Sequence, residues 1–230
     1  MTIHELEQHV RSLGIAKDHI LREEAEMLFL RDLATDTLGA KVLFYGGTAL
    51  RLAYGSPRFS EDIDLLRIKR FSFKDFSAFM KRAVRRHQGW KLTDAKEKRN
   101  TLFAFILISD DKLKHNFSIK IEIHKPTKPV CLTSQLAILR SPVSVEEPLL
   151  LVPTLVELKR LKEDALEKRK KARDIFDLWY IAQSMREQFA TQLTLAPYTR
   201  RMFKNELQVF LPRHFYPVID QLYDTITKKN

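Results

Sequence analysis

The sequence predicts a mixed α/β (α+β) protein, with a core of sheet and helices in residues 1–152 and a helical C-terminal lobe in residues 153–230. Three observations lead to this fold class. As far as residue 124, strand-like apolar or alternating runs are interspersed with segments of helical periodicity. Prolines then punctuate residues 125–153, which indicates a connector with one short strand and a boundary near Pro153. From there on the pattern is helical.

The composition is that of a folded, basic protein. Hydrophobic residues make up 44% of the 230 residues and charged residues 30%, which is enough apolar material for a real core. The net charge of +11 favours polyanionic partners such as nucleic acid or nucleotide phosphates, although a generally basic surface would give the same charge. The single cysteine, Cys131, excludes an internal disulfide, and no apolar run reaches the ~18 residues of a membrane span. We therefore expect a cytoplasmic protein without a membrane partner.

Two helices are predicted at the N-terminus. Residues 3–13 form a short amphipathic segment that ends at Gly14. Asp18 is the predicted N-cap of a longer helix that reaches about Thr37, with apolar residues at helical spacing. We expect both helices to brace the sheet, without a part in the chemistry.

The stretch from Leu43 to Ile68 carries the first group of candidate functional residues. An apolar run stops at Gly46-Gly47, and a helix is predicted from Thr48 to Tyr54. Backbone N–H groups at a helix N-terminus bind phosphate, and glycines let the phosphate approach closely. The turn is therefore a candidate phosphate site, although an ordinary strand-to-helix turn would use the same glycines.

Asp62 and Asp64 lie two residues apart on the next predicted strand, so their carboxylates project from the same face. Two carboxylates held this close repel each other unless a cation lies between them. Oxygen ligands on a rigid strand suit Mg²⁺, which completes its coordination with water and substrate phosphates. Solvated charges at a strand edge are the alternative, but they would bring the same repulsion without an evident gain.

The middle of the chain continues with one helix and two strands. Ser72 to about His87 is a predicted helix with an apolar face and a basic outer face; this face could contact RNA, but a solvated surface accounts for it more simply. Residues 90–97 and 101–109 alternate like strands, and Asp110 and Asp111 then turn the chain. We expect a hairpin-like meander here.

Residues 117–124 (FSIKIEIH) alternate almost perfectly between an apolar face and a face that carries Ser118, Lys120, Glu122 and His124. If this strand neighbours the strand of Asp62 and Asp64, Glu122 becomes a candidate third acid. A half-exposed sheet with a polar face is the alternative. We interpret His124 as a surface or hydrogen-bonded residue.

Residues 154–185 carry the second group of candidates. Thr154 and Glu157 predict a capping box, so a helix begins here. On an uninterrupted helix, the side chains of Arg169 and Arg173 would point within about 20° of Lys162 and form a cationic stripe. The segment KRKKAR could instead be a turn between two helices, with Asp174 near the second start. A salt-bridged helix pair that includes Arg173 and Asp177 would need no ligand. After Arg186 we expect further helix with aromatic residues, which either pack the lobe or bind an acceptor.

Residues 46–64 (GGTALRLAYGSPRFSEDID) resemble the signature of the AbiEii/AbiGii-type nucleotidyltransferase toxins, relatives of DNA polymerase β and of the MenT toxins. The match combines the Gly-Gly-Thr turn, the Arg-Phe-Ser before the acids and the Asp-x-Asp at a fixed distance. The second region also resembles the family pattern, without a gap, at Lys162, Ala165, Arg169, Arg173, Asp174, Asp177 and Leu178. The resemblance covers roughly residues 40–180.

The resemblance implies a nucleotidyltransferase fold with its active site in the cleft between core and lobe. An acceptor hydroxyl would attack the α-phosphate of a nucleoside triphosphate, and pyrophosphate would leave. By this resemblance, one or two Mg²⁺ ions would be held by Asp62, Asp64 and Glu122. The phosphates would be held by the turn at Gly46 and Gly47, the Thr48 hydroxyl and Lys162, with Arg58, Ser60, Arg169 and Arg173 as further candidates. Asp174 and Asp177 could orient the cations or assist the acceptor.

The resemblance also implies a biological role, that of the toxin in a toxin–antitoxin or phage-abortive-infection pair with a cognate antitoxin. The acceptor would be RNA, with tRNA as a candidate, and the basic composition is consistent with an RNA acceptor. Transfer to a protein or small-molecule hydroxyl is one alternative. A nucleotide- or RNA-binding regulator that does not catalyse is another, and the intact acids speak against it.

Overall fold

The computed structural model describes residues 1–127, 131–189 and 198–227. The strands are β1 (Val42–Tyr45), β2 (Asp62–Arg67), β3 (Trp90–Glu97), β4 (Thr101–Ile108), β5 (Phe117–His124), β6 (Ser134–Ile138) and β7 (Leu149–Pro153). The α-helices are α1 (Ile3–Leu13), α2 (Lys17–Ala34), α3 (Gly46–Tyr54), α4 (Phe73–Arg86), α5 (Leu155–Arg169), α6 (Ala172–Met185), α7 (Arg200–Gln208) and α8 (Tyr216–Thr227). The predicted α/β fold class is confirmed. Pro129 of the connector and residues 190–197 of the helical lobe lie outside the described residues.

The two N-terminal helices follow the prediction, but the second begins differently. Helix α1 has a full capping box at Thr2 and ends at Gly14. The prediction that Asp18 caps α2 is wrong, because the N-cap is Ala16 and the Asp18 carboxylate instead lies 2.8 Å from Nε2 of His115. The Asp18 side chain therefore contacts a residue distant in the chain instead of capping the helix N-terminus.

The main sheet has the strand order β1-β2-β5-β4-β3, in which β2 and β5 run parallel and the other pairs run antiparallel. The expected meander of β3 and β4 is confirmed, and the predicted strand at residues 117–124 lies directly beside β2. The register pairs Asp64 with Glu122 and Asp62 with Lys120. The sheet therefore brings the polar faces of β2 and β5 together at its centre.

One face of the sheet is apolar and packs against α2 and α4. Strand β5 supplies the alternating residues Phe117, Ile119, Ile121 and Ile123, all buried in the main core. The amphipathic helix α4 adds Phe76, Phe79 and Met80 to the same core. Burying one face in this way fixes the register, since a shift by one residue would turn the carboxylates inward.

The connector holds two short strands where one was expected. Strand β7 contains the predicted apolar run at residues 149–152, and β6 pairs with it in antiparallel fashion. Strand β6 was not predicted, because its side chains are mostly exposed and do not alternate between buried and exposed positions.

The helical lobe resolves one alternative and corrects two expectations. Residues 170–171 form a turn between α5 and α6, with Lys170 in the left-handed conformation at φ 48°, so no continuous helix joins them. Thr154 is the N-cap of α5 as predicted, but its side chain makes no cap hydrogen bond, so the capping box is wrong. Residues 187–189 are not helical. None of the described helices combines the length and hydropathy needed to cross a membrane.

The lobe has its own apolar core, built by α6, α7 and α8. A third, smaller cluster of Leu50, Leu158 and Ile181 joins α3 to α5 and α6. Polar contacts add to this junction, as the Tyr180 hydroxyl donates to the carbonyl of Tyr54 at 2.7 Å. Helix α3 is thereby held against the first turn of α5 and the C-terminal half of α6.

Candidate active site

The turn between β1 and α3 is shaped by two glycines. Gly46 has φ +88°, and a Cβ at this position would lie 2.5 Å from Oδ2 of Asp64. A Cβ on Gly47 would lie 2.5 Å from Nη2 of Arg58. Helix α3 begins at Gly46 rather than at Thr48, because the glycine backbone turns directly into the first helical turn. The glycines thus let a carboxylate and a guanidinium approach the helix N-terminus.

Three carboxylates share the polar face of the sheet. Asp62 and Asp64 project from β2, and Glu122 projects from β5, where it is the register partner of Asp64. The ammonium group of Lys120 lies between two of them, 2.9 Å from Oδ2 of Asp62 and 3.1 Å from Oε2 of Glu122. All of the side chains in this ion-paired group remain partly accessible to solvent.

The carboxylate of Asp64 has a perturbed pKa. Burial, the largest cause, and the neighbouring charge of Asp62 together raise its pKa to about 6, although the charges of Lys162 and Lys120 act in the opposite direction. Tyr45, its partner across β1 and β2, has a raised pKa because of burial and the charge of Asp64. A carboxylate with this environment needs a cation to stay charged without a free-energy cost.

We predict that Asp64→Asn stabilises the protein in EDTA at about pH 8. A folded-state pKa above the ordinary 3.8 means that the folded chain binds the proton more readily than the unfolded chain. The free energy of unfolding therefore falls as the pH rises from about 4 to 6, and the penalty is fully present above about pH 6. Removing the charge should raise this free energy by about 1–2 kcal/mol, measured by urea unfolding.

The same titration at about pH 4 is the control for this prediction. There the aspartate is protonated in the fold, so the variant should gain little. An unchanged or lower stability of Asp64→Asn at about pH 8 would contradict the claim that the ionised Asp64 destabilises the metal-free fold.

The donor set of the three acids fits a hard divalent cation in its chemistry and its register. All of its atoms are carboxylate oxygens on one face of two adjacent strands. In the described part of the chain, no three His, Cys, Asp or Glu side chains are grouped closely enough to hold a metal ion as they stand. Lys120 already bridges Asp62 and Glu122, so an ion could bind these oxygens only after the lysine side chain rotates away.

The opposite wall of the site comes from the helical lobe, and Asp177 organises it. The guanidinium of Arg58 donates twice to this carboxylate, at 2.7 and 2.8 Å, and Nζ of Lys162 lies 2.5 Å from it. Asp177 is 0% and Arg58 3% exposed at the side chain. Burial alone would raise the pKa of Asp177, but the charges of Arg58 and Lys162 lower it below its usual range.

Asp174 fixes a second cation in the same way. Arg169 donates to both of its carboxylate oxygens at 2.7 Å, and Lys162 approaches it at 3.4 Å. Asp174 is fully buried, whereas the Arg169 side chain is 48% exposed and reaches the opening of the site. The lobe thus presents cations whose positions are set by two carboxylates beneath them.

A pocket of about 250 Å³ lies between the acids and these cations. Nine of the predicted site residues line it: Gly46, Gly47, Arg58, Ser60, Asp62, Asp64, Lys162, Arg169 and Arg173. The guanidinium Nε of Arg173 is buried without a hydrogen-bond partner in the described residues, as expected of a group that could take a ligand.

The other four predicted residues do not line the pocket. The Thr48 hydroxyl donates to the carbonyl of Asp62 at 2.5 Å, so a phosphate would have to displace that bond. Glu122 lies beside Asp64, outside the pocket wall. Asp174 and Asp177 lie buried beneath the cations, a position that suits orienting them rather than touching a nucleotide.

Sequence reasoning missed two residues that shape the site. Lys120 was visible only as one of the polar side chains on β5. Arg51 is buried in α3, pairs with Glu23 of α2 and donates to the carbonyls of Ser56 and Pro57 at 3.0 and 3.1 Å. It thereby anchors the loop that delivers Arg58 to the pocket. A lone arginine in an otherwise apolar helix was the available signal.

Solved structures with the same fold include nucleotidyltransferases. JHP933 from Helicobacter pylori is 20% identical with a TM-score of 0.59, over 92% of this chain and 93% of that one. A putative nucleotidyltransferase from H. pylori is 20% identical with a TM-score of 0.58, over 92% and 96%. MenT4, the nucleotidyltransferase toxin Rv2826c from Mycobacterium tuberculosis H37Rv, is 18% identical with a TM-score of 0.60, over 91% and 70%. At this identity the likeness shows the fold, and the expected nucleotidyltransferase fold is confirmed.

Curated proteins yield no significant match to the sequence. A family model does match, and its description is "Nucleotidyl transferase AbiEii toxin, Type IV TA system". The match extends over residues 28–221, which include the glycine turn, the acids and the cations of the lobe. The chain therefore belongs to the AbiEii family of nucleotidyltransferase toxins.

Proposed function

We propose that this protein transfers a nucleoside monophosphate from a nucleoside triphosphate to a hydroxyl of an RNA acceptor, with Mg²⁺, and that it acts as a toxin held in check by a cognate antitoxin. The observation that carries this proposal is the pocket in which carboxylates of the sheet face cations of the helical lobe across a helix N-terminus. Acids for a metal and cations for phosphates are the two halves that nucleotidyl transfer requires.

The cationic wall would bind the triphosphate. Lys162 and Arg169 each project from α5, and Arg173 from the first turn of α6, toward one pocket. The backbone N–H of Gly47 at the start of α3 supplies a donor to the same space. Arg58 is locked by two hydrogen bonds to Asp177, so it would present a fixed positive charge rather than adapt to its ligand. Such fixed donors lose little entropy when phosphate binds.

The acidic wall would hold one or two Mg²⁺ ions through Asp62, Asp64 and Glu122. Bound there, Mg²⁺ supplies charge neutralisation at the α-phosphate and activates the attacking oxygen. Asp64 must lose its proton to serve as a ligand. Its pKa of about 6 lies below neutral pH, so most of the carboxyl groups are ionised there. The close fit of its carboxylate beneath Gly46 fixes the position of its oxygens.

A second, wider groove of about 750 Å³ adjoins the pocket and is a candidate surface for the acceptor. Arg169 lines both spaces, so a chain lying in the groove would end near the phosphates. Its other lining residues include Lys168, Lys170 and Lys171 and, from the segment before α7 and from α7 itself, Tyr198 and Met202. Cations with an aromatic side chain suit the backbone and bases of a single-stranded RNA end.

We predict that Lys170→Glu/Lys171→Glu weakens RNA binding and transfer to RNA by at least about tenfold, because each reversal removes a phosphate contact and adds a repulsion. Binding of nucleotide alone should change little, since neither side chain lines the pocket. Filter binding of labelled tRNA at two salt concentrations measures the effect.

Lys81→Glu/Arg85→Glu on the basic face of α4 is the matched control with the same change in net charge. Equal losses in the two double variants would mean that RNA responds to overall charge and not to the groove.

The proposed activity is tested by incubating the protein with each α-³²P-labelled nucleoside triphosphate, Mg²⁺ and total cellular RNA, beside the Asp62→Ala/Asp64→Ala variant. Label that reaches RNA only with the intact acids would support the proposal and identify the nucleotide. Label on a protein or small molecule would instead favour one of those acceptors. Nucleotide binding without any turnover would favour the alternative of a regulator that binds nucleotide but does not catalyse.

A further inference from the structure

We propose that Lys120 is a built-in counter-ion of the acidic wall, which occupies the cation position between Asp62 and Glu122 until a divalent cation displaces it. This inference rests on the proposed function, since it concerns the same carboxylates. It assigns a role to a residue that lies outside the pocket lining and outside the predicted set.

The geometry places the ammonium group where a metal ion would compete with it. Lys120 is the register partner of Asp62 on β2 and lies two residues before Glu122 on β5, so all three side chains leave the same face. Its Nζ lies 2.9 Å from one carboxylate and 3.1 Å from the other. A magnesium ion bound to those oxygens at about 2.1 Å would come too close to the ammonium for both cations to stay.

Lysine is suited to this position because it neutralises the acids without fixing them permanently. Its ammonium group lies within ion-pair distance of both Asp62 and Glu122, so one positive charge offsets part of the repulsion between the two carboxylates. The side chain is 28% exposed, and its four-carbon stem can carry the charge into solvent by rotation. In the absence of metal, Lys120 therefore neutralises part of the charge of Asp62 and Glu122, and rotation of its side chain frees both carboxylates for an ion.

Displacement has a thermodynamic consequence for metal binding. Each ion that binds must first break the two lysine ion pairs, so the affinity for free metal is lower than the acids alone would give. A nucleoside triphosphate adds phosphate oxygens to the metal ligands and offers a new anionic partner for the released ammonium. Metal and nucleotide should consequently bind together more tightly than either alone.

The first test is calorimetric titration of Mn²⁺ and of Mg²⁺ into the nucleotide-free protein, comparing wild type with Lys120→Met. We expect the variant to bind metal about tenfold more tightly, because the competing ammonium has been removed. Lys91→Met is the matched control, since Lys91 is an exposed lysine on β3. Equal or weaker metal binding by Lys120→Met would overturn the proposal, while metal binding itself would leave the proposed function intact.

A second measurement needs no variant and decides the question if Lys120→Met does not fold. Brief acylation of the wild-type protein with acetic anhydride, followed by peptide mass spectrometry, reports how free each lysine amine is. We expect Lys120 to react several-fold faster when Mg²⁺ and a non-hydrolysable nucleotide are present, with Lys91 unchanged. An unchanged rate at Lys120 while metal binds would overturn the proposal. Failure of every form to bind metal, with or without nucleotide, would overturn the proposed function as well.

Discussion

Replacing Asp64 by asparagine is expected to lower the rate of nucleotidyl transfer by on the order of 10³-fold or more, because one ligand and its charge are lost at the reacting phosphate. Among the described residues, Asp62 and Asp64 are the two carboxylates that line the pocket, so the variant removes half of its acidic charge. The size of asparagine keeps the contact beneath Gly46 filled. The loss should appear in the turnover of labelled nucleoside triphosphate at saturating acceptor.

Two companion variants distinguish a loss of metal ligands from a general effect of the substitution. Glu122→Gln should also lose activity if the third acid contributes to the same ion. Asp94→Asn, on β3 and paired with Lys96, changes the same charge away from the pocket and should keep full activity. Since Asp64→Asn is also expected to be more stable in EDTA, unfolding would not account for its loss. Transfer at the wild-type rate by Asp64→Asn would disprove the assignment.

Replacing Asp177 by alanine is expected to destabilise the protein by about 3–5 kcal/mol, because the change leaves a buried guanidinium without its partner. Arg58 is held by two hydrogen bonds to this carboxylate, and Lys162 also contacts it. The residue is fully buried, so water cannot take over its role. Urea unfolding followed by circular dichroism measures the loss, and nucleotide binding should weaken at the same time.

The cause of that loss can be isolated with a double variant and a control. Arg58→Met/Asp177→Leu replaces the ion pair by apolar groups of similar size and should recover much of the stability, but not nucleotide binding. Asp164→Ala on the exposed side of α5 removes the same charge from the surface and should cost little. A loss below about 1 kcal/mol in Asp177→Ala would show that the buried pair is not coupled to folding.

Much of the site was predictable from sequence because its parts are local. Each part is defined within a few residues of the chain. These parts are a strand that stops before Gly46 and Gly47, two acids on one strand face, and a lysine and two arginines on helices. The alternation of residues 117–124 also predicted which face of β5 would carry Glu122. These patterns depend on the period of 2 in strands and on helix termini, which neighbouring residues determine.

Other features depend on residues far apart in the chain. The partner of Arg58 is Asp177, 119 positions away, and the local alternative of an Arg173–Asp177 pair did not anticipate it. The positions of Asp174 and Asp177 beneath the cations follow from how α6 packs, and the division of the chain at residue 152 stays a prediction. A sequence pattern shows which charges are available but not which of them will meet after packing.

The sequence alone determined the fold class, the family resemblance and the identity of most pocket residues, because these depend on short-range order. Only the tertiary structure decided that a turn separates α5 from α6, that Asp18 caps no helix and that Lys120 bridges Asp62 and Glu122. Asp18 contacts His115, and Lys120 contacts Asp62, across large separations in the chain. Neighbouring residues determine which charges are available, whereas strand pairing and helix packing determine which of them meet.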